Sequence, residues 1–178
     1  MKERKKSKLK IASKLYEQMP CEMQNKQQYK NELLWALKLS GIGKTLNIYK
    51  SHQHAFYITM QELNYGFTHE QSLLVALLLR MHGKELLHKP LFQSFKTLLP
   101  ERETLLWLSF IYTLTVFLHE ASNSASIEFT YSNKTLTIYT DKPLYLAKEK
   151  IKSLEKPLAF AIIIKDESKV PRNKELGV

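Results

Sequence analysis

Apolar residues recur at helical spacing along the chain up to about residue 120. Pro20 is predicted to end the first helix, and Gly41 with Gly43 the second. Thr68, followed three residues later by Gln71, has the pattern of a capping box at the start of a buried helix. The predicted helices cover residues 7–19, 25–39, 49–62, 68–81, 89–99 and 100–120.

After residue 121 the pattern changes to short segments in which apolar and polar residues alternate. Residues 126–131 and 135–140 are predicted to be strands joined by a hairpin turn. Residues 144–154 form a helix in this interpretation, and the β-branched run 158–164 is expected to be the central strand of a small sheet. The predicted fold is mainly α. A helical domain over residues 1–120 is followed by a small β-β-α-β, α+β unit over 121–165 and a flexible tail over 166–178.

The composition is that of a globular cytoplasmic protein. The 178 residues are 44% hydrophobic, which is enough to form a core and excludes overall disorder. The single Cys21 excludes an internal disulfide and fits a reducing cytosol. The apolar stretch 105–118 is too short to span a bilayer, and no apolar signal-peptide core follows the basic start. Cytoplasmic localisation without membrane association is therefore expected.

Charge is concentrated at the ends of the chain. The net charge is +10, and residues 1–10 contain six basic residues and one acidic residue. Such an end attracts a polyanion such as RNA or polyphosphate, or it simply makes a terminal helix soluble.

Signatures of the common enzyme classes are missing from the sequence. Residues 41–45 lack the upstream glycine of a P-loop, Cys21 has no zinc partner at usable spacing, and no serine lies in a nucleophile elbow. Imidazole, guanidinium and ammonium groups near helix ends instead suggest an anion site, in which Arg80 would bind phosphate in bidentate fashion. The alternative is that one or two of the histidines are structural. The candidate phosphate-binding residues are Lys44, Lys50, His52, His54, Arg80, His82 and Lys84, whereas His69, His88 and His119 are predicted to be surface or capping residues.

Three segments carry a family resemblance, namely residues 34–43 (LWALKLSGIG), 54–58 (HAFYI) and 66–82, which run from Gly-Phe-Thr to Arg-Met-His. Together with the order of the later elements, they resemble the C-terminal half of the exopolyphosphatase/guanosine-pentaphosphatase (Ppx/GppA) family. The helical domain of that family is similar to a modified HD domain. The resemblance covers nearly the whole chain and implies an HD-like fold for residues 1–120.

The sequence departs from an active HD domain at the metal site. Ser40 and Gly41 stand where such domains carry their His-Asp metal ligands, and Glu120 is the acid nearest to the position of the final aspartate. Serine is a poor ligand and glycine has no side chain, so no metal is expected in this chain. His54 and His82 match histidines that the family retains. Magnesium in the family belongs to an N-terminal actin-like catalytic domain, which these residues do not match, so no catalytic residue is expected here.

The resemblance therefore implies a C-terminal domain that binds inorganic polyphosphate or guanosine pentaphosphate. The expected partners are that polyanion, an actin-like catalytic domain or subunit that hydrolyses phosphoanhydrides, and a second copy of the chain. Two alternatives remain open. One is a divergent HD-type metal-dependent phosphohydrolase using His54 and His82. The other is a dimerisation or interaction module that uses an exposed strand edge such as residues 135–140.

Overall fold

The computed structural model describes residues 2–20, 29–81, 86–122 and 126–166. Its helices are α1 (Lys2–Gln18), α2 (Lys30–Leu39), α3 (Ser51–Glu62), α4 (His69–Arg80), α5 (Lys89–Ser94), α6 (Arg102–Ala121) and α7 (Tyr145–Lys152), with a 3-10 turn at Ile42–Thr45. Its strands are β1 (Ile127–Ser132), β2 (Thr135–Thr140) and β3 (Ala161–Asp166). Helices make up most of the described chain, which confirms a mainly α fold with a small β-β-α-β unit.

The two most apolar helices, α4 and α6, form the centre of the molecule. Residues 72–79 of α4 and 105–118 of α6 are buried without a break, because helices packed on all sides need no polar face. Helix α6 is long and apolar enough to cross a membrane, yet 78% of its most apolar window is buried inside the fold. That burial is consistent with the core helix of a soluble protein.

The β unit packs on α6 rather than standing apart. One hydrophobic cluster includes residues of α1, α4 and α6 together with Phe129 and Ile138 of the hairpin. Phe160, which precedes β3, stacks on Trp107 with ring centroids 5.7 Å apart and meets Phe110 edge-on at 5.4 Å. The division into domains 1–120 and 121–165 with a tail 166–178 stays a prediction.

The hairpin follows the sequence pattern closely. Strands β1 and β2 pair antiparallel from Ile127 opposite Thr140 to Ser132 opposite Thr135. The two residues between them, Asn133 and Lys134, have φ angles of 47° and 53°. Positive φ at both central positions matches the right-handed twist of the flanking strands, as in a type I′ turn.

The order of the sheet differs from the expected one. Strand β3 pairs parallel with β2, so the order is β1-β2-β3 and β2 is central. The prediction that 158–164 is the central strand was therefore wrong, and 135–140 is not an edge. Leu136 and Ile138 of β2 are fully buried, whereas every residue of β3 stays at least partly exposed. A β-branched run occurs in central and edge strands alike, so composition alone could not distinguish them.

The predicted helices are present, but α1 begins at Lys2, five residues before its predicted start, and α5 ends at Ser94, five residues before the end of the predicted segment 89–99. The capping box is confirmed, because Thr68 Oγ1 accepts from Gln71 N–H at 3.3 Å and Gln71 Oε1 accepts from Thr68 N–H at 3.0 Å. Helix α3 begins after Lys50, whose left-handed backbone conformation (φ 54°) prevents the helix from extending further towards the N-terminus. Residue 25, the predicted start of the second helix, lies outside the described residues.

The 3-10 turn depends on a close approach at Gly43. A Cβ built on Gly43 would overlap the carbonyl of Ser51 and lie 2.7 Å from the backbone nitrogen of Ala55. A Cβ on Gly41 would meet nothing within 4 Å. Gly43 therefore lets the turn rest directly on the first turns of α3.

We expect Gly43→Ala to lower the free energy of unfolding by about 1–3 kcal/mol, the usual cost of overpacking, because backbone rather than a side chain must move. Gly41→Ala, the matched control, should change it by no more than about 0.5 kcal/mol. Urea denaturation followed by circular dichroism measures both. Equal effects of the two substitutions would contradict the proposed packing.

Candidate anion-binding site

A cleft of about 780 Å³ opens between α1, the end of α2, the 3-10 turn, the start of α3 and the end of α6. Cationic and imidazole side chains from all five of these elements reach its wall. They are Lys8, Lys38, Lys44, His52 and His119. Among the described residues that line the cleft, Glu120 is the one acid, and its carboxylate is paired with Lys150 at 2.9 Å.

Local structure explains why these side chains lie at the wall of the cleft. Helix α2 ends at Leu39, so Lys38 lies in its last turn, where a cation complements the negative end of the helix dipole. The 3-10 turn, seated on α3 through Gly43, carries Lys44 and Thr45 to the wall beside His52. The last turn of α6 brings His119 across from them.

Lys8 is fixed at the inner end of α2. Its Nζ donates to Ser40 Oγ at 2.5 Å, and that hydroxyl donates onward to the carbonyl of Leu37 at 3.0 Å. The ammonium group of Lys8 on α1 therefore lies against the side chain of Ser40, for which the family resemblance predicts the loss of a metal ligand. A hydroxyl already engaged by a cation cannot readily bind a second one.

The described residues do not fit a divalent metal here. Ser40 is engaged by Lys8, Gly41 has no side chain, and the described part of the chain contains no group of three or more His, Cys, Asp or Glu side chains that could hold a metal ion. We therefore assign no metal-dependent step to this cleft.

The positive charge of Arg80 and the neighbouring His54 both act on His52. The pKa of His52 is lowered by burial in the first place, then by the positive charge of Arg80 and then by His54. His52 therefore favours its neutral form near neutral pH, and the lysines that line the cleft supply positive charge. Only His52 of these three lines the cleft.

The predicted site residues separate into groups in the structure. Lys44 and His52 line the cleft, while Lys50, His54 and Arg80 are not part of its wall. His82 and Lys84 lie outside the described residues. The structure thus brings only two of the seven candidate residues to this cleft, and phosphate binding by the candidates stays a prediction.

Several cleft residues were missed by sequence reasoning. Lys8 belongs to the basic start of the chain, which was recognised as attractive to polyanions without a specific position. Lys38 lies at the helix end for which the sequence predicts only a stop at Gly41 and Gly43. Of the histidines assigned to surface or capping positions, His69 is exposed and His88 caps α5 by accepting from Leu91 N–H, but His119 lines the cleft.

Tyr112 of α6 is an almost fully buried part of the cleft wall. Burial, with a smaller contribution from the negative charge of Glu120, raises the pKa of Tyr112 above its ordinary value. The phenol therefore keeps its proton at neutral pH. Lysine ammonium groups, imidazoles and hydroxyls are all groups that donate to phosphate oxygens.

A family model described as Ppx/GppA phosphatase, domain III, matches residues 4–159 of the chain. The match includes the helical part, the hairpin and α7. No curated protein matches the chain significantly. With most of its length matched, the chain belongs to the Ppx/GppA phosphatase domain III family.

Replacing Arg80 with Gln should raise the pKa of His52, because a nearby positive charge that disfavours the imidazolium is removed. His54→Gln should raise it less, since His54 is the weaker of the two influences. NMR titration of the imidazole protons measures both shifts. An unchanged pKa of His52 in the Arg80 variant would show that the two groups do not interact.

The lowered pKa of His52 also makes the contribution of this residue to stability depend on pH. The unfolded chain protonates His52 more readily than the fold does, so the contribution of His52 to stability decreases as pH falls below the unfolded value of about 6.5. That decrease should be smaller in Arg80→Gln.

Proposed function

We propose that this member of the Ppx/GppA domain III family binds a linear phosphate polyanion, inorganic polyphosphate in the first instance, in the cleft between α1, α2, α3 and α6. One observation carries the proposal. Three lysines and two histidines from five separate elements line a single cleft whose one acid, among the described lining residues, is already paired with Lys150.

The chemistry of the wall suits phosphate groups better than a nucleobase. Lysine ammonium groups bind phosphate as mobile point charges, and a polyphosphate chain offers a negative charge at every unit. Among the described residues of the wall, Tyr112 carries the one aromatic ring besides the imidazoles, and it is almost fully buried, which leaves no exposed face for stacking. This favours polyphosphate over guanosine pentaphosphate as the ligand.

The role of the domain in this proposal is binding, not cleavage. Attack of water on a phosphoanhydride requires a base or a metal that activates the water. Glu120 is engaged by Lys150, Ser40 is engaged by Lys8, and the described residues do not fit a metal. Hydrolysis then depends on an actin-like catalytic domain or subunit with its own magnesium, beside which this domain holds the substrate.

Fluorescence anisotropy with end-labelled polyphosphate over a salt series tests the proposal. Binding should weaken steeply as salt rises, because bound counterions are released from the polyanion. Lys44→Gln should lower the affinity about two- to fivefold at low salt, as expected for a partly solvated ion pair. It should also reduce the slope of log affinity against log salt by roughly 0.7, by analogy with single-stranded nucleic acid.

Lys96→Gln is the matched control, since Lys96 is an exposed lysine that does not line the cleft. It should leave both affinity and slope close to those of the unaltered chain, and EDTA should leave binding unchanged. Equal losses in the Lys44 and Lys96 variants would mean that general surface charge, not the cleft, binds the polyanion. Loss of binding on addition of EDTA would contradict a metal-free site.

A further inference from the structure

The two edges of the sheet are covered differently. On the β1 side, Lys14 of α1 donates to the carbonyl of Ile127 at 3.4 Å and forms an ion pair with Glu128. On the β3 side, no strand pairs with the outer edge within the described ranges, which end at residue 166. The fold thus protects one edge with a helix and leaves the other open.

Strand β3 is apolar without being buried. It contains three consecutive isoleucines, Ile162–Ile164, and Ile163 is 45% exposed. Ile162 and Ile164 touch the core from its margin, whereas the corresponding positions of β2, Leu136 and Ile138, are completely buried. An edge strand of this composition would normally be buried by a further layer.

The pairing of β3 with β2 determines which backbone groups of β3 point to its outer edge. The N–H of Ala161 donates to the carbonyl of Lys134 at 2.9 Å, so it points towards β2. Since successive residues of a strand alternate in direction, Ile163 also points towards β2. The N–H and C=O groups of Ile162 and Ile164 therefore point to the outer edge.

A basic groove runs beside this edge. It has a volume of about 390 Å³ and is formed by α7, the segment after it and β3. Its floor is Ile151 with Ile162 and Ile164, and its rim is Lys148, Lys152 and Lys156. No acidic side chain is among the described residues that line it.

We propose that the outer edge of β3 binds an extended peptide segment of a partner protein in which apolar and acidic side chains alternate. The segment adds a fourth strand to the sheet by main-chain hydrogen bonds to Ile162 and Ile164. Its apolar side chains cover the exposed Ile163 on one face of the sheet, and its carboxylates meet the lysines of the rim on the opposite face, where the groove lies.

The charge of the groove selects this occupant over two others. A second copy of β3 would bring a second set of rim lysines to the same edge, where like charges repel. Polyphosphate would satisfy the lysines but neither the isoleucines nor the open backbone groups. An acidic, β-forming peptide satisfies all three features.

The test uses the full chain labelled with 15N and a synthetic peptide of alternating valine and glutamate. Amide hydrogen exchange at Ile162 and Ile164 should slow at least tenfold when the peptide is bound, while Ile163, already paired with β2, should change little. The matched peptide with lysine in place of glutamate should not bind. Lys148→Glu combined with Lys152→Glu should weaken binding at least fivefold, and Lys96→Glu, with the same type of charge reversal elsewhere, should not.

Four results would overturn the proposal. They are the absence of peptide binding at millimolar concentration, binding that leaves the Ile162 and Ile164 amides unprotected, protection of the same amides by polyphosphate, and protection of these amides in the chain alone. The last would mean that another copy or another part of the chain already occupies the edge. Because Lys44→Gln should leave peptide binding intact, failure here is distinguishable from failure of the polyphosphate cleft.

Discussion

Burial of α6 is the constraint on which the rest of the structure depends. Trp107 in its second turn is fully buried and stacks against the ring of Phe160 from the β unit. Thr113, one and a half turns further along, donates to the carbonyl of Met81 at 3.3 Å and so holds the end of α4, next to Arg80. The last turn supplies His119 and Glu120 to the cleft. One helix therefore sets the positions of both the cleft wall and the sheet.

Substitutions in the buried part of this helix are expected to lower the free energy of unfolding substantially. Truncating one fully buried leucine of α6 to alanine would cost about 2–5 kcal/mol, a large share of the roughly 5–15 kcal/mol that stabilises a typical domain. The helix has little freedom to carry ligands itself, since residues 105–118 are all committed to the core. The functional groups of the domain consequently lie at helix ends and on surrounding elements, which can change without loss of the core.

The Lys8–Ser40 contact determines which chemistry this end of the cleft can support. A divalent metal polarises phosphate and activates water, whereas an ammonium group supplies one charge and hydrogen bonds without lowering the pKa of a bound water. With Lys8 placed against Ser40, the described residues of the cleft supply positive charge, which is the basis of the proposed phosphate binding. The lowered pKa of His52 is consistent with this proposal, because a neutral imidazole can still donate a hydrogen bond to an anion.

The parts of the fold that could be predicted are those for which a local sequence pattern is compatible with only one kind of element. Helical spacing located α1 to α4 and α6, the pair Thr68 and Gln71 marked the start of α4, and Asn133 marked the hairpin turn. The close approach at Gly43 and the edge position of β3 could not be predicted, because both depend on which distant segment packs there.

The candidate site could be predicted even less well than the fold, because its residues are brought together by contacts between distant segments. Lys8 and His119 are far apart in sequence and meet only through the packing of α1 and α6, for which the sequence holds no local signal. Helical geometry could have separated two of the predicted residues. His52 and His54 lie two positions apart on α3, and side chains at that spacing do not share a face, so only one of them could line a given cleft.

Helix α7 stands between the cleft and the open sheet edge, which raises the question of whether the two proposed surfaces communicate. The direct link is the ion pair of Lys150 with Glu120, and its two side chains are 48% and 42% exposed. Ion pairs of this exposure contribute about 0–1 kcal/mol and are weakened further by salt. Allosteric coupling through this pair alone could therefore not exceed that amount, which corresponds to an affinity change of about fivefold. The arrangement thus favours two nearly independent surfaces, so that a polyanion and a peptide partner would bind together without either one controlling the other.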